Sequence, residues 1–369
     1  MTAPSTNKGA RDYYYREIAP EEQGASYQTL YLASNFFPGG AQRTELGNDA
    51  EADAILRRMN AFVPHYSNDM LLDKLMYELI GLHADDLQEA LCSIFVGKRR
   101  NIAANATAFP KDADVDVNLV LFNVGLSDAA YQYAILFDHF TSLPAQIKAR
   151  NYGATAQFRA LLERVVRAQS RWDADGLWIQ LELDDFLGRE HERIGSRAAD
   201  IATCTDRFIL GHEIAHHLLG HTLVAGRGLG TLHHATRTLP TRWNALPQAR
   251  RDELEADIAA IGLMLGTSAE AIEKMAVTVA IGALLTMTIL GQLVPDPEVA
   301  CGDHPAVAER FLNVVECLTR IQIPDLDIIV PEMLNFQQVL HRAHGRGLGR
   351  YRNDVLDILK GSGIYDTTR

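Results

Sequence analysis

Leu71, Leu72, Leu75, Met76 and Leu79 recur at three- and four-residue intervals, so one face of residues 67–82 is apolar and the segment predicts an amphipathic helix. The same spacing predicts helices over 49–60, 84–96 and 154–172. Residues 115–124 break that rhythm. Val117, Leu119, Val120, Leu121, Phe122 and Val124 leave almost no polar face, which suits a strand buried on both sides. Ser127-Asp128 then opens a helix carrying Ala130, Tyr131, Ala134, Ile135 and Phe137, and 177–183 predicts a second short strand in which Trp178 and Gln180 alternate with Ile179 and Leu181. A long helix is expected to begin at Ser196 or Ala199 and to stop at Gly220, followed by another over 248–265. Between them, 222–249 has Gly226, Gly228, Gly230, His233, His234, Pro240 and Pro247 without a sustained period. It predicts a long loop, with a lid and a plain surface connection equally supported. Taken together the pattern predicts a mainly α chain with a small β-sheet, an α+β fold. Residues 1–25 read as an irregular arm, 26–195 as a helical region with the sheet, and 196–369 as a core bearing the chemistry described next.

Residues 275–295 contain no charge and could span a bilayer by length. Thr278, Thr286, Thr288, Gln292, Gly282 and Gly291 interrupt that stretch, and Glu273, Lys274 and Asp296 flank it without a basic border. The expectation is a helix buried at the centre of a helical domain, with no stable membrane insertion. A formal charge of −12 disfavours a nucleic-acid partner, and Lys98, Arg99 and Arg100 form only a local cluster of the kind found at helix ends. Residues 1–23 show no apolar signal segment, and Cys92, Cys204, Cys301 and Cys317 form no CxxC pair. A cytoplasmic setting with reduced thiols is expected.

Residues 212–216 read His-Glu-Ile-Ala-His. On a helix His212 and His216 stand one above the other, spaced to bind one metal ion, while Glu213 lies beside them as a base that stays off the metal. Phe208, Ile209, Ile214, Ala215, Leu218 and Leu219 supply apolar surroundings for such a helix. Glu253 follows His216 by 37 residues, within Asp-Glu-Leu-Glu-Ala-Asp, and shares a helix face with Asp257 at i+4. One of these carboxylates can reach a metal while the other orients a ligand histidine. A metzincin plan would need a glycine three residues and a histidine six residues after the second histidine, whereas Gly220 and His221 fall at four and five. His217 and His221 are therefore expected to be polar or capping residues.

The chain resembles the gluzincin-type metallopeptidases, in which HExxH is followed by ExxAD, in Gly-His-Glu-Ile-Ala-His-His at 211–217, Glu-Leu-Glu-Ala-Asp at 253–257 and Asp-His-Pro-Ala-Val-Ala-Glu-Arg at 303–310. The third segment also recurs in HtpX-like and CAAX prenyl proteases, and it separates the chain from ImmA/IrrE-like regulatory proteases. Its position after a long apolar helix and its Glu-Arg ending look most like the Lit-type phage-exclusion peptidases, which cleave a host translation elongation factor. The resemblance covers roughly residues 200–315. It implies a zincin-like core with zinc on His212, His216 and Glu253, the glutamate four residues before the aspartate being the ligand rather than Glu255. It further implies Asp257 fixing a ligand imidazole, and His304 or Arg310 acting as an oxyanion donor or substrate-carboxylate contact. Their other reading is a turn in which Arg310 ties its helix to Asp303 or Glu309. The membrane setting of the HtpX-like relatives is not carried over.

The function expected from these residues is zinc-dependent hydrolysis of peptide bonds in a cytosolic protein, the attacking water being activated by Glu213. Two other classes fit less well. A zinc-stabilised regulatory module without turnover would not need Glu213, and a hydrolase of a non-peptide amide would share the same motif.

Overall fold

Helix-forming stretches dominate among the described residues; of the short strands there, β-type residues such as Phe95, Val96, Val120 and Phe122 mark two, and the third, Ala-Thr-Ala, is set by its pairing. The structure, a computed structural model, describes residues 8–20, 70–83, 85–99, 105–109, 118–151, 153–175, 191–222, 236, 238–345 and 351–362. In chain order these contain α1 (Lys8–Tyr13), a π-helical turn (Tyr14–Ile18), α2 (Met70–Gly81), α3 (Asp85–Cys92), β1 (Phe95–Arg99), β2 (Ala106–Ala108), β3 (Leu119–Asn123), α4 (Val124–Lys148) and α5 (Gly153–Asp175). There follow α6 (His191–Leu219), a short 3-10 turn (Thr241–Ala245), α7 (Gln248–Leu265), α8 (Ala269–Leu293), α9 (Val307–Arg320), α10 (Leu326–Ala343) and α11 (Tyr351–Gly361). The protein is mainly α with a three-stranded sheet, as the periodicity predicts. The helix expected at 49–60, the strand at 177–183, and His233 and His234 lie outside the described residues.

Several boundaries differ from the sequence expectation, each for a visible reason. The helix expected over 84–96 stops at Cys92, because Phe95 donates its backbone N–H to Asn118 O at 2.9 Å and joins the sheet instead. Phe and Val are good strand formers, so the tertiary partner decides a segment that periodicity left open. Lys98 and Arg99 consequently sit on β1 rather than at a helix end. Helix α4 begins at Val124, directly from the extended Asn123, earlier than Ser127. Helix α6 begins at His191, and α8 at Ala269, where Ser268 Oγ accepts the N–H of Ala271 at 3.0 Å as an N-cap. The end of α6 is as expected. Gly220 has φ +82°, and His221 donates its N–H to His216 O at 2.9 Å, closing the last turn.

The chain divides into two compact units. The first comprises Met1–Arg100, Ala106–Phe122 and Glu213–Thr231. Its sheet has the order β1-β3-β2, and β2 pairs antiparallel with β3, Ala106 opposite Phe122 and Ala108 opposite Val120. Tyr14, fully buried, packs over Gly97 so closely that any side chain there would overlap its ring, and Phe95, Leu119 and Leu121 complete that core. His217 bridges its helix to the sheet: Nε2 donates to Leu119 O at 3.0 Å, and Nδ1 accepts from Thr222 Oγ1 at 2.9 Å.

The second unit comprises Asn101–Asn105, Asn123–His212 and Leu232–Arg369. At its centre lies α8, packed against α4, α5, α7, α9 and α10. It is long and apolar enough to cross a membrane by length and composition, and most of its apolar stretch is buried within the fold. The last part of the loop expected over 222–249 is anchored: Trp243, buried, donates from its indole to Asn313 Oδ1 at 3.1 Å, and Asn313 in turn donates to Leu254 O at 3.0 Å.

Two glycines set how α6 is seated. A Cβ at Gly282 of α8 would lie 2.3 Å from the carbonyl oxygen of Cys204 on α6, a backbone atom that cannot swing aside. At Gly211 it would lie 3.4 Å from the Cβ of Ala260 on α7, an ordinary contact. Gly282→Ala is therefore expected to destabilise by about 1–3 kcal/mol despite alanine's better helix propensity. Gly211→Ala should be near neutral. Thermal melting of the two variants checks this, and equal melting temperatures would contradict so close a crossing.

Candidate active site

Helices α6, α7 and α9 bring four of the expected side chains together in the second unit, and the turn before α9 adds a fifth. Because α7 carries Glu253 and Asp257 one turn apart, both carboxylates meet His212 of α6. Asp257 Oδ1 is 2.9 Å from His212 Nδ1, and Glu253 Oε2 is 3.5 Å from His212 Nε2. Arg310, from α9, grips the same carboxylates. Its Nε and Nη2 donate to Asp257 Oδ2 and Oδ1 at 2.9 and 2.7 Å, a two-pronged pair, and its Nη1 lies 3.3 Å from Glu253 Oε2. His304 reaches Glu253 Oε1 through Nδ1 at 3.4 Å from a turn closed by paired backbone bonds between Cys301 and His304. Asp257 is wholly buried, and His212 and Arg310 are 7% and 8% exposed, whereas the His304 side chain is 66% exposed.

The electrostatics follow from two carboxylates sharing one guanidinium, which leaves the buried cluster one negative charge when His212 is neutral. Burial works against a charged imidazole, but its hydrogen bonds to Asp257 and Glu253 outweigh it and push His212 up to about 10. Burial likewise opposes ionisation of Glu253, yet His212, His304 and Arg310 hold its carboxyl well below the usual range. Asp257 is held low in the same way, with burial outweighed first by Arg310 and then by His212. His304 is raised above its ordinary value by its hydrogen bond to Glu253, against partial burial. With His212 neutral, the cluster keeps a negative charge that a cation would balance. Its geometry also suits a metal: donors about 2.1 Å from a tetrahedral zinc stand roughly 3.4 Å apart, close to the observed separation of His212 Nε2 and Glu253 Oε2. Asp257 on Nδ1 would fix the tautomer that turns Nε2 toward such an ion.

Glu213 and His216 lie further along the same unbroken helix, and their own surroundings belong to the first unit. Glu213 Oε2 accepts the backbone N–H of Ala108 on β2 at 2.5 Å. His216 Nδ1 lies 3.0 Å from His221 Nδ1, with the two rings edge to face.

The family pattern of Peptidase U49, the Lit-type peptidases, matches residues 139–329, more than half of the 369-residue chain. The chain belongs to the Peptidase U49 family. Membership supports peptidase function and a protein substrate, and the matched segment takes in α6, α7, α8 and α9, and with them every residue of the buried cluster. Neither a curated protein nor a solved structure matches the chain.

Within this Peptidase U49 member, some partnerships were out of reach of sequence spacing. Arg310 pairs with Asp257 and Glu253 rather than with Asp303 or Glu309. Glu309 instead accepts the N–H of Ala306 at 2.9 Å, at the start of its own helix. The contacts of His221 with His216, and of Ala108 with Glu213, also carried no signal in any motif. Only the i, i+4 spacing of Glu253 and Asp257 pointed to a shared face. His217, with both ring nitrogens engaged by Leu119 and Thr222, fits the polar role expected for it.

Proposed function

We propose that this peptidase is a zinc-dependent endopeptidase acting on a cytosolic protein, with His212, His216 and Glu253 as metal ligands, residues of the types that could hold a metal ion. The observation that carries the reading is His212, locked by Asp257 at Nδ1 and facing Glu253 from Nε2 at a tetrahedral ligand spacing. His216, one helical turn on, adds the second imidazole.

When bound, zinc supplies a Lewis acid that acidifies water and polarises the scissile carbonyl. Glu213 accepts the proton of the attacking water as its oxygen bonds to the carbonyl carbon, and returns that proton to the nitrogen when the carbon–nitrogen bond breaks. Arg310 holds Asp257 and Glu253 in place, and its burial favours this supporting role over contact with substrate. To His304, largely exposed and 3.4 Å from Glu253, we assign the contact with a substrate oxygen.

Metal analysis tests the ligand assignment. Successive helix positions advance about 100°, so Glu255 points nearly opposite to the face shared by Glu253 and Asp257. Glu253→Ala is expected to lose zinc, and Glu255→Ala to retain it with near-normal activity. Full zinc in Glu253→Ala together with loss from Glu255→Ala would reverse the assignment. Sequencing of new protein N-termini in cells producing the active or the Glu213-altered chain would identify the substrate.

The reading also takes α8 as a core helix of a soluble enzyme. Without detergent, the full chain is expected to stay in the supernatant after high-speed sedimentation. Carbonate-resistant attachment to membranes would overturn that part of the proposal.

A further inference from the structure

Antiparallel pairing alternates which backbone groups face the partner strand. Between β2 and β3, Phe109 donates its N–H to Leu119 O at 2.7 Å, and Asn123 donates to Asn105 O at 3.1 Å. With Thr107 opposite Leu121, the odd-numbered residues 105, 107 and 109 are the ones bonded into the ladder. Ala106 and Ala108 therefore turn their N–H and C=O groups away from β3. Because β2 is the edge of the sheet, those groups face outward. Of the two outward amides, that of Ala108 is taken up by Glu213 Oε2 at 2.5 Å, across 105 positions of sequence. This is a charge-assisted bond from a rigid backbone donor to a side chain with three rotatable bonds.

We propose that the backbone amide of Ala108 is the positioning group of the Glu213 base, fixing Oε2 so that the direction of Oε1 is set before substrate arrives. The inference rests on the reading of Glu213 as the base. A glutamate adjacent to a metal ligand can rotate toward the ion and become a ligand itself. An edge amide that anchors one oxygen would keep the carboxylate from turning to the ion and leave the other oxygen to take a proton from the attacking water. The sheet thereby acquires a task in the chemistry, because the β2–β3 register decides which amide faces α6. A slip of one residue would put the amide of Thr107 or Phe109 in its place and turn every side chain of β2 to the other face. Since the donor is main chain, no side-chain motif encodes it, and any residue but proline at 108 preserves it.

The test removes the N–H of residue 108. Incorporating lactic acid at position 108 replaces the amide by an ester of the same shape, and Ala108→Pro does the same with natural chemistry. That N–H lies outside the ladder, so neither change removes a β2–β3 donor, while the ester leaves the Thr107 carbonyl a weaker acceptor within it. Ala108→Val, which keeps the amide, serves as the control. Two readouts are taken on the full chain. The first is the carboxylate stretching band of Glu213, isolated as the infrared difference between the protein and its Glu213→Gln variant. The second is kcat and KM on a peptide spanning a cleavage site identified in cells. The ester is expected to shift the band and to lower kcat about tenfold to a hundredfold, with KM within about twofold and zinc content unchanged. Ala108→Val, which keeps the N–H, should leave the band unmoved. An unmoved band and unchanged kcat in the ester, in a protein whose Glu213→Gln variant is inactive, would overturn the proposal alone. Activity retained by Glu213→Gln would instead bring down the base assignment beneath it. If the proline variant fails to fold, the ester still decides.

Discussion

Glu213→Gln is expected to lower turnover by about 10²- to 10⁴-fold while leaving zinc content and melting temperature unchanged. At about 1.4 kcal/mol per factor of ten, that is roughly 3–5.5 kcal/mol of lost transition-state stabilisation. Glutamine has nearly the same shape and keeps one carboxamide oxygen, so it can still accept the Ala108 amide that Glu213 accepts. What it loses is the ability to take a proton. Assigned off the metal, the residue contributes no ligand, so its replacement should not release zinc. The pairing of full metal content with lost activity is what separates a base from a ligand, since Glu253→Ala should lose both. Paired assays of zinc and of peptidase activity decide it. A Glu213→Gln enzyme retaining more than about a tenth of wild-type turnover would remove Glu213 from the chemistry.

What the sequence reveals of this molecule depends on how far apart the interacting residues are. The helices were legible where the apolar spacing was internal to them. Gln248–Leu265 emerges with the bounds its pattern predicts, and Gly220 ends α6 because a left-handed residue is needed there. Phe95 and Val96 were not legible, since an apolar pair fits a helix or a strand equally. The decision was made by Asn118, more than twenty residues away. The same division runs through the site. His212, Glu213 and His216 announce themselves because one helix turn fixes their relation, and Glu253 with Asp257 do so for the same reason. Arg310 is 53 positions from Asp257, and Ala108 is 105 from Glu213. Such pairings depend on how helices and strands pack, and no local period encodes them. A main-chain donor such as the Ala108 amide leaves no residue-type signature at all.

Arg310→Ala should be the most damaging single change to the fold of the second unit, costing about 3–5 kcal/mol. The guanidinium is buried and makes its two-pronged bond to an aspartate with no exposure at all, while also facing Glu253. Truncation strands the wholly buried Asp257 carboxylate against the imidazole of His212 and takes the guanidinium from Glu253 as well. Domains are stable by only about 5–15 kcal/mol in total, so this loss removes a large fraction and should lower the melting temperature by roughly 6–20 °C. Arg310→Lys should recover part of it. An ammonium restores the charge but cannot form both bonds to Asp257 at once. Pairing Arg310→Ala with Asp257→Asn should cost less than the sum of the two single changes, because the double variant leaves no buried aspartate charge uncompensated. If Arg310 instead served the substrate directly, its removal would depress activity and spare the melting temperature. A shift below about 2 °C with activity lost would favour that alternative, whereas a large shift with strong coupling to Asp257 would establish the arginine as the clamp on which the geometry of His212 and Glu253 depends.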